Sequence, residues 1–173
     1  LAMDIACFKA IGHALVDQIA ASLDAIPSGP VTKDRTPAAV REALGLNTAL
    51  PAEGTDAAAL MSSTARQLFE HSLFNAHPRF WGYITSSPAP IGILGDLLAS
   101  AINPNVGGWR LSPAASEIEA QAVRWIAELV DYPTDCGGIF VSGGNKGNFV
   151  CFLAPRVGRA GWGIRGDGVG AAG

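Results

Sequence analysis

Gly137-Gly138-Ile139-Phe140-Val141-Ser142-Gly143-Gly144-Asn145-Lys146-Gly147-Asn148-Phe149 reads as a short buried strand, a tight turn of glycine and small polar residues, and the first turn of a helix. Ile139, Phe140 and Val141 are β-formers between glycines, the pattern of a strand covered on both faces. Gly143 and Gly144 admit backbone angles and close approaches that a side chain forbids. A helix starting there offers unpaired N–H groups and a positive dipole end, which suits a phosphate dianion. The spacing is neither that of a P-loop nor that of a dinucleotide fingerprint, since Gly147 follows Lys146 and no G-x-G-x-x-G is present. Taken alone, the motif is also compatible with glycines that only permit tight strand-to-helix packing.

Composition narrows the setting. The chain has 173 residues, 49% of them apolar, and a net charge of −3. That is enough apolar material for one core, and the absence of a basic run argues against a nucleic-acid partner. The apolar run 91–102 is broken by Gly95 and Asp96 and is too short to span a bilayer, so no membrane role is expected. Leu1-Ala2-Met3-Asp4 carries no basic n-region, and Cys7, Cys136 and Cys151 lack metal-ligand spacing. Reduced thiols in a cytoplasmic protein are the expectation, with no metal site. A start at Leu1 and a glycine-rich 168–173 just after a helix suggest a fragment, because one strand and one helix need further parallel strands.

Outward from the central stretch, most of the chain has helical periodicity. Ile5, Phe8, Leu15, Val16, Ile19, Leu23 and Ile26 form one stripe over 4–26, closed by Pro27-Ser28-Gly29-Pro30. Thr36-Pro37 supplies a cap and an N1 proline for a short helix ending at Gly45. Thr55-Asp56 opens a helix to about Ser72, Ser87-Pro88 one through Asn103, and Ser112-Pro113 one from Ala114 to Val130. Glu117 and Glu119 are two apart, on different sides of that last helix, and read as a solvated, dipole-favoured start. His77 to Pro88 holds Phe80, Trp81 and Tyr83 between prolines, an extended segment that serves either as a packing strand or as the wall of a small-molecule pocket.

With those pieces in order, the chain resembles the group II pyridoxal-phosphate-dependent decarboxylases, the family of aromatic-amino-acid and glutamate decarboxylases. The resemblance is carried by His77-Pro78-Arg79-Phe80-Trp81-Gly82-Tyr83, by Asn105 through Trp109 to Ser112-Pro113-Ala114-Ala115-Ser116-Glu117-Ile118-Glu119, and by Gly137 to Asn148, with Gly161-Trp162 in support. It implies an α/β chain, the N-terminal part of the type I, aminotransferase-like fold. In that division 1–86 is a helical segment that wraps a partner subunit, and 87–173 begins the cofactor-binding domain, giving a homodimer. The resemblance assigns Gly143, Gly144 and Asn145 to the phosphate of pyridoxal 5′-phosphate. It assigns Tyr83, Ile84, Thr85 and Trp109 to the substrate pocket.

The implied reaction is release of CO2 from an L-amino acid, with an aromatic substrate favoured by Trp81, Tyr83 and Trp109. The family's Schiff-base lysine follows a histidine, whereas Lys9, Lys33 and Lys146 do not, so no catalytic residue is assigned and this chain alone is expected to be inactive. Lys146, Gly147 and Pro155 depart from the family pattern, and Pro155 is expected to kink or break the helix after the turn. Two other readings remain open. One is a non-catalytic truncated paralogue acting as a subunit-interaction module; the other is a phosphate-binding enzyme of another family sharing only the strand–turn–helix.

Overall fold

The structure, a computed structural model, describes residues 3–46, 48–159 and 163–168. Every regular element among them is helical: α1 (Ile5–Ala25), a 3-10 turn (Ile26–Ser28), α2 (Pro37–Ala43), α3 (Ala57–His71), α4 (Pro90–Ile102), α5 (Pro113–Leu129), α6 (Gly144–Arg159) and α7 (Ile164–Asp167). The chain divides into two compact units, Leu1–Gly95 and Asp96–Gly173. Gly161-Trp162 lies outside the described residues.

The α/β expectation is therefore corrected, because no strand exists among the described residues. Residues 139–141 are non-helical as expected, but they pair with no neighbouring backbone. A strand is defined by its ladder, and β-forming composition cannot supply the second strand that a ladder needs. Instead, the Phe140 N–H donates to the Glu119 carboxylate at 2.8 Å.

Helix starts follow the local chemistry of the chain. Asp4 Oδ1 accepts the Cys7 N–H at 2.8 Å, Thr36 Oγ1 the Ala39 N–H at 3.2 Å, and Asp56 Oδ1 the Ala59 N–H at 2.8 Å. Each satisfies an orphan donor of a first turn. Ser112 stands at the N-cap of α5 without a side-chain cap bond, so Pro113, with φ preset for a first turn, carries that start. α4 begins at Pro90, later than Ser87-Pro88 suggested.

In the first unit α1 packs against α3, with Ile26 and Ala65 buried. The stripe on α1 thus finds a partner within the chain, although Ile5, Phe8 and Val16 on the same helix remain exposed. The Gln18 amide donates to the Ser62 carbonyl at 3.2 Å and fixes the rotation of α1 about its neighbour. In the second unit Ala127 is the buried apolar residue among those described. α6 continues through Pro155 rather than breaking there; the ring removes one N–H, leaving the Cys151 carbonyl without its usual donor.

Candidate functional site

The phosphate turn belongs to the second unit. The chain bends at Ser142 and Gly143 and enters α6 at Gly144, and the Gly147 N–H makes the first helical bond to the Gly143 carbonyl at 3.0 Å. Helix geometry leaves the N–H groups of Gly144, Asn145 and Lys146 without an intrahelical acceptor. Ser142, Gly143, Gly144, Asn145 and Lys146 line one shallow, open concavity.

Neither Gly143 nor Gly144 adopts a positive φ, so conformational freedom is not what the turn draws from them. A Cβ built on either meets no protein atom within 4 Å. The bare backbone there leaves room for a ligand to approach the N–H groups. Free donors, the helix N-terminus, the Asn145 amide and the Lys146 ammonium together fit a phosphate ester. Among the described residues no group of three or more His, Cys, Asp or Glu is placed to hold a metal ion.

Trp109 lies in the same unit. Asn105 Oδ1 accepts the Gly107 N–H at 2.9 Å and shapes the preceding loop, an Asx turn. The Trp109 indole N–H donates to Glu117 Oε1 at 2.7 Å, while 58% of the residue stays exposed. Glu117 and Glu119 are therefore not a merely solvated helix start. Standing two apart, they point to different sides of α5, and each holds a different segment: Glu117 the loop of Trp109, Glu119 the run before the phosphate turn.

Gly138 makes the second contact of that run with α5. A Cβ on it would lie 2.5 Å from Val123 Cγ1, closer than real atoms come. The sequence hinted at this only through the bare Gly137-Gly138 pair. The Glu119 contact, made across 21 residues, has no local signature.

Tyr83, Ile84 and Thr85 belong to the first unit, after Phe80. Tyr83 has φ 59°, a left-handed conformation that is an outlier for a bulky residue. Its ring tilts against Phe80 with centroids 6.2 Å apart, and it is 86% exposed. Trp81 and Ile84 are exposed as well, so the segment is a displayed aromatic edge rather than a core-packing strand. Its base is fixed by His77, which is buried and bonded to Gly29 and Arg79.

An apolar cleft of about 520 Å³ opens in the first unit between Leu15, Ile19, Leu23, Met61, Leu68 and Phe74. It does not include Tyr83, Ile84 or Thr85, and its lining is mainly apolar, with Thr64, Ser72 and Asn75 as the polar residues. No helix among the described residues is long and apolar enough to cross a membrane.

Comparison with known proteins adds four findings. The family model described as the pyridoxal-dependent decarboxylase conserved domain matches residues 37–160. An aromatic-L-amino-acid decarboxylase of Bacillus atrophaeus is 26% identical over 148 residues, covering 86% of this chain and 30% of that protein. The solved structure of Oryza sativa TDC with PLP and tryptamine superposes with a TM-score of 0.67 at 26% identity, over 78% of this chain and 27% of the other. The glutamate decarboxylase domain of a Vibrio parahaemolyticus protein superposes with a TM-score of 0.78 over 97% of this chain and 37% of the other. At 17% identity that likeness speaks for the fold alone. The chain thus spans about a third or less of the proteins it matches.

Proposed function

The chain belongs to the pyridoxal-dependent decarboxylase family, and on that premise we propose that it serves in the decarboxylation of an L-amino acid by pyridoxal 5′-phosphate, an aromatic one by preference. The observation that carries the reading is the turn 142–146, a set of free N–H groups beside bare glycine backbone, within the residues that match the family.

In this reading the N–H groups of Gly144 and Asn145, the Gly143 backbone and the Asn145 amide hold the cofactor phosphate. Lys146 adds a positive charge at the same end of α6. When bound, pyridoxal phosphate supplies an electron sink for the pair left behind as CO2 departs. Tyr83, Ile84 and Thr85 in the first unit, and Trp109 in the second, are each assigned to contact with the substrate side chain, for which exposed aromatic and apolar groups are suited. Two relatives support an aromatic preference: the Bacillus enzyme by its name, and the rice structure by its tryptamine.

The lysine that carries the cofactor aldehyde is not assigned to Lys9, Lys33 or Lys146, so turnover is not attributed to these 173 residues by themselves. We further propose a cytoplasmic homodimer. The exposed apolar side chains of α4, among them Ile91, Leu97, Leu98 and Ile102, support a partner surface of this kind. The division into an N-terminal helical segment over 1–86 and a cofactor-binding part over 87–173 belongs to the same proposal.

The test is a titration of the chain with pyridoxal phosphate, read by cofactor absorbance and tryptophan quenching. Saturable binding that weakens in Asn145→Ala is expected. Nucleotide binding without pyridoxal phosphate binding would transfer the turn to another class of phosphate ligand. A concentration-dependent dimer that takes up no cofactor would favour a non-catalytic interaction module.

A further inference from the structure

We propose that Glu119 is a positioning residue that sets the phosphate turn at the head of α6. The role rests on the reading of Gly143, Gly144 and Asn145 as the site of the cofactor phosphate. Residues 137–142 have no ladder to hold them. What ties them to another element is the bond from the Phe140 N–H to Glu119 Oε1 at 2.8 Å. The acceptor is a carboxylate, so this is a charge-assisted bond of the stronger kind.

A second contact acts with it. Val123 stands four residues after Glu119, on the same face of α5. Its Cγ1 occupies a point 2.5 Å from where a Cβ of Gly138 would be. Val123 therefore sets how closely the segment approaches the helix, and Glu119 sets where along the helix it stops. Position then passes onward, because Val141 Cγ2 lies 3.5 Å from the Cβ site of Gly147, in the first turn of α6. Only Ser142 and Gly143 separate this braced run from the N–H groups of Gly144, Asn145 and Lys146. The donors that meet a phosphate are thus aimed by α5 through a carboxylate that does not itself touch the ligand.

The experiment uses the whole chain in wild-type, Glu119→Ala, Glu119→Gln and Glu119→Asp forms. Two quantities are read: Phe140 amide exchange by NMR and the pyridoxal phosphate dissociation constant. Glu119→Ala is expected to speed Phe140 exchange and weaken the cofactor about tenfold, the scale of one hydrogen bond to a charged group. Glu119→Gln keeps an acceptor oxygen at the same reach and should recover affinity to within about threefold of wild type. Glu119→Asp, one methylene short, should lose affinity like Ala, and it serves if the Ala variant does not fold. Gly138→Ala perturbs the same run with Glu119 intact and should also weaken binding.

An unchanged dissociation constant in Glu119→Ala and Glu119→Asp overturns the positioning role while leaving the functional reading standing. Unchanged Phe140 exchange overturns the contact itself. A wild-type chain that takes up no pyridoxal phosphate overturns the functional reading, and the positioning role with it.

Discussion

His77 and Gly29 meet across 48 residues, with the Nε2 of the buried ring 3.0 Å from the Gly29 carbonyl oxygen. The other nitrogen fixes the tautomer. Nδ1 accepts the Arg79 N–H at 3.0 Å, so the neutral ring carries its proton on Nε2 and donates it to Gly29. The Arg79 guanidinium reaches the same carbonyl at 3.3 Å, and the Phe74 N–H bonds the Val31 carbonyl at 3.1 Å. The residues that follow α1 are thereby stitched to the base of the aromatic segment.

His77→Ala removes the acceptor of the Arg79 N–H and one of the two donors to the Gly29 carbonyl, which keeps the Arg79 guanidinium, so it should cost about 1–3 kcal/mol in urea unfolding. A long-range 15N spectrum of the wild type should show His77 protonated at Nε2 alone. Protonation at Nδ1 would contradict the arrangement. Because His77 opens the turn that leads to Tyr83, its loss should also make the 80–85 amides exchange faster than those of α3.

The Trp109–Glu117 contact gives a prediction of a different kind. It lies at the surface, so Glu117→Ala should change stability by no more than about 0.5 kcal/mol. The indole N–H resonance of Trp109 should nonetheless move upfield and exchange faster, as its carboxylate partner is replaced by water. Glu117→Gln should keep most of the original shift. A Trp109 resonance indifferent to both variants would remove the basis for calling its orientation fixed.

What the sequence disclosed, and what it hid, divides along the range of the interactions. Asp4, Thr36-Pro37 and Asp56 announce α1, α2 and α3 because a cap bonds to a residue three positions away. The start of α6 at Gly144 was legible from the turn of glycine and small polar residues that leads into it. The strand at 139–141 was misread, since its composition suits a ladder but the ladder is a relation to another segment. Periodicity on α1 marked the apolar face, yet it could not say that α3 covers part of it and leaves Phe8 exposed. The partners of Glu119 and His77 had no local signature, and the approach of Gly138 to Val123 showed only as a bare glycine pair, because each partner lies far along the chain.

Pro155 offers a test of how α6 is built. It sits inside the helix without interrupting it, at the cost of one backbone bond and a crowded carbonyl. Pro155→Ala should restore the donor to the Cys151 carbonyl and raise the unfolding free energy by up to about 3 kcal/mol, with a gain in ellipticity at 222 nm. Pyridoxal phosphate affinity should change little, because Pro155 stands three helical turns from Gly144. A destabilised Pro155→Ala chain would mean that the ring makes contacts that outweigh the lost bond.

The Lys33–Glu70 pair predicts a pH effect whose sign follows from its geometry. Lys33 Nζ lies 3.1 Å from Glu70 Oε1, joining the segment after α1 to the end of α3. The hydrogen bond from Lys33, and then its charge, hold the Glu70 carboxyl below its ordinary value. A carboxylate with a lowered folded-state pKa favours the folded chain above its unfolded pKa and loses that contribution as pH falls through the lower, folded value. Stability should therefore drop below the ordinary glutamate range in wild type, and less steeply in Glu70→Gln. Both groups are solvated, so the difference should be small and should shrink further as salt rises. Measuring unfolding midpoints from neutral pH down through the glutamate range, at low and high salt, checks both signs. Equal acid sensitivity in wild type and Glu70→Gln would show that the pair contributes nothing to holding the two segments together.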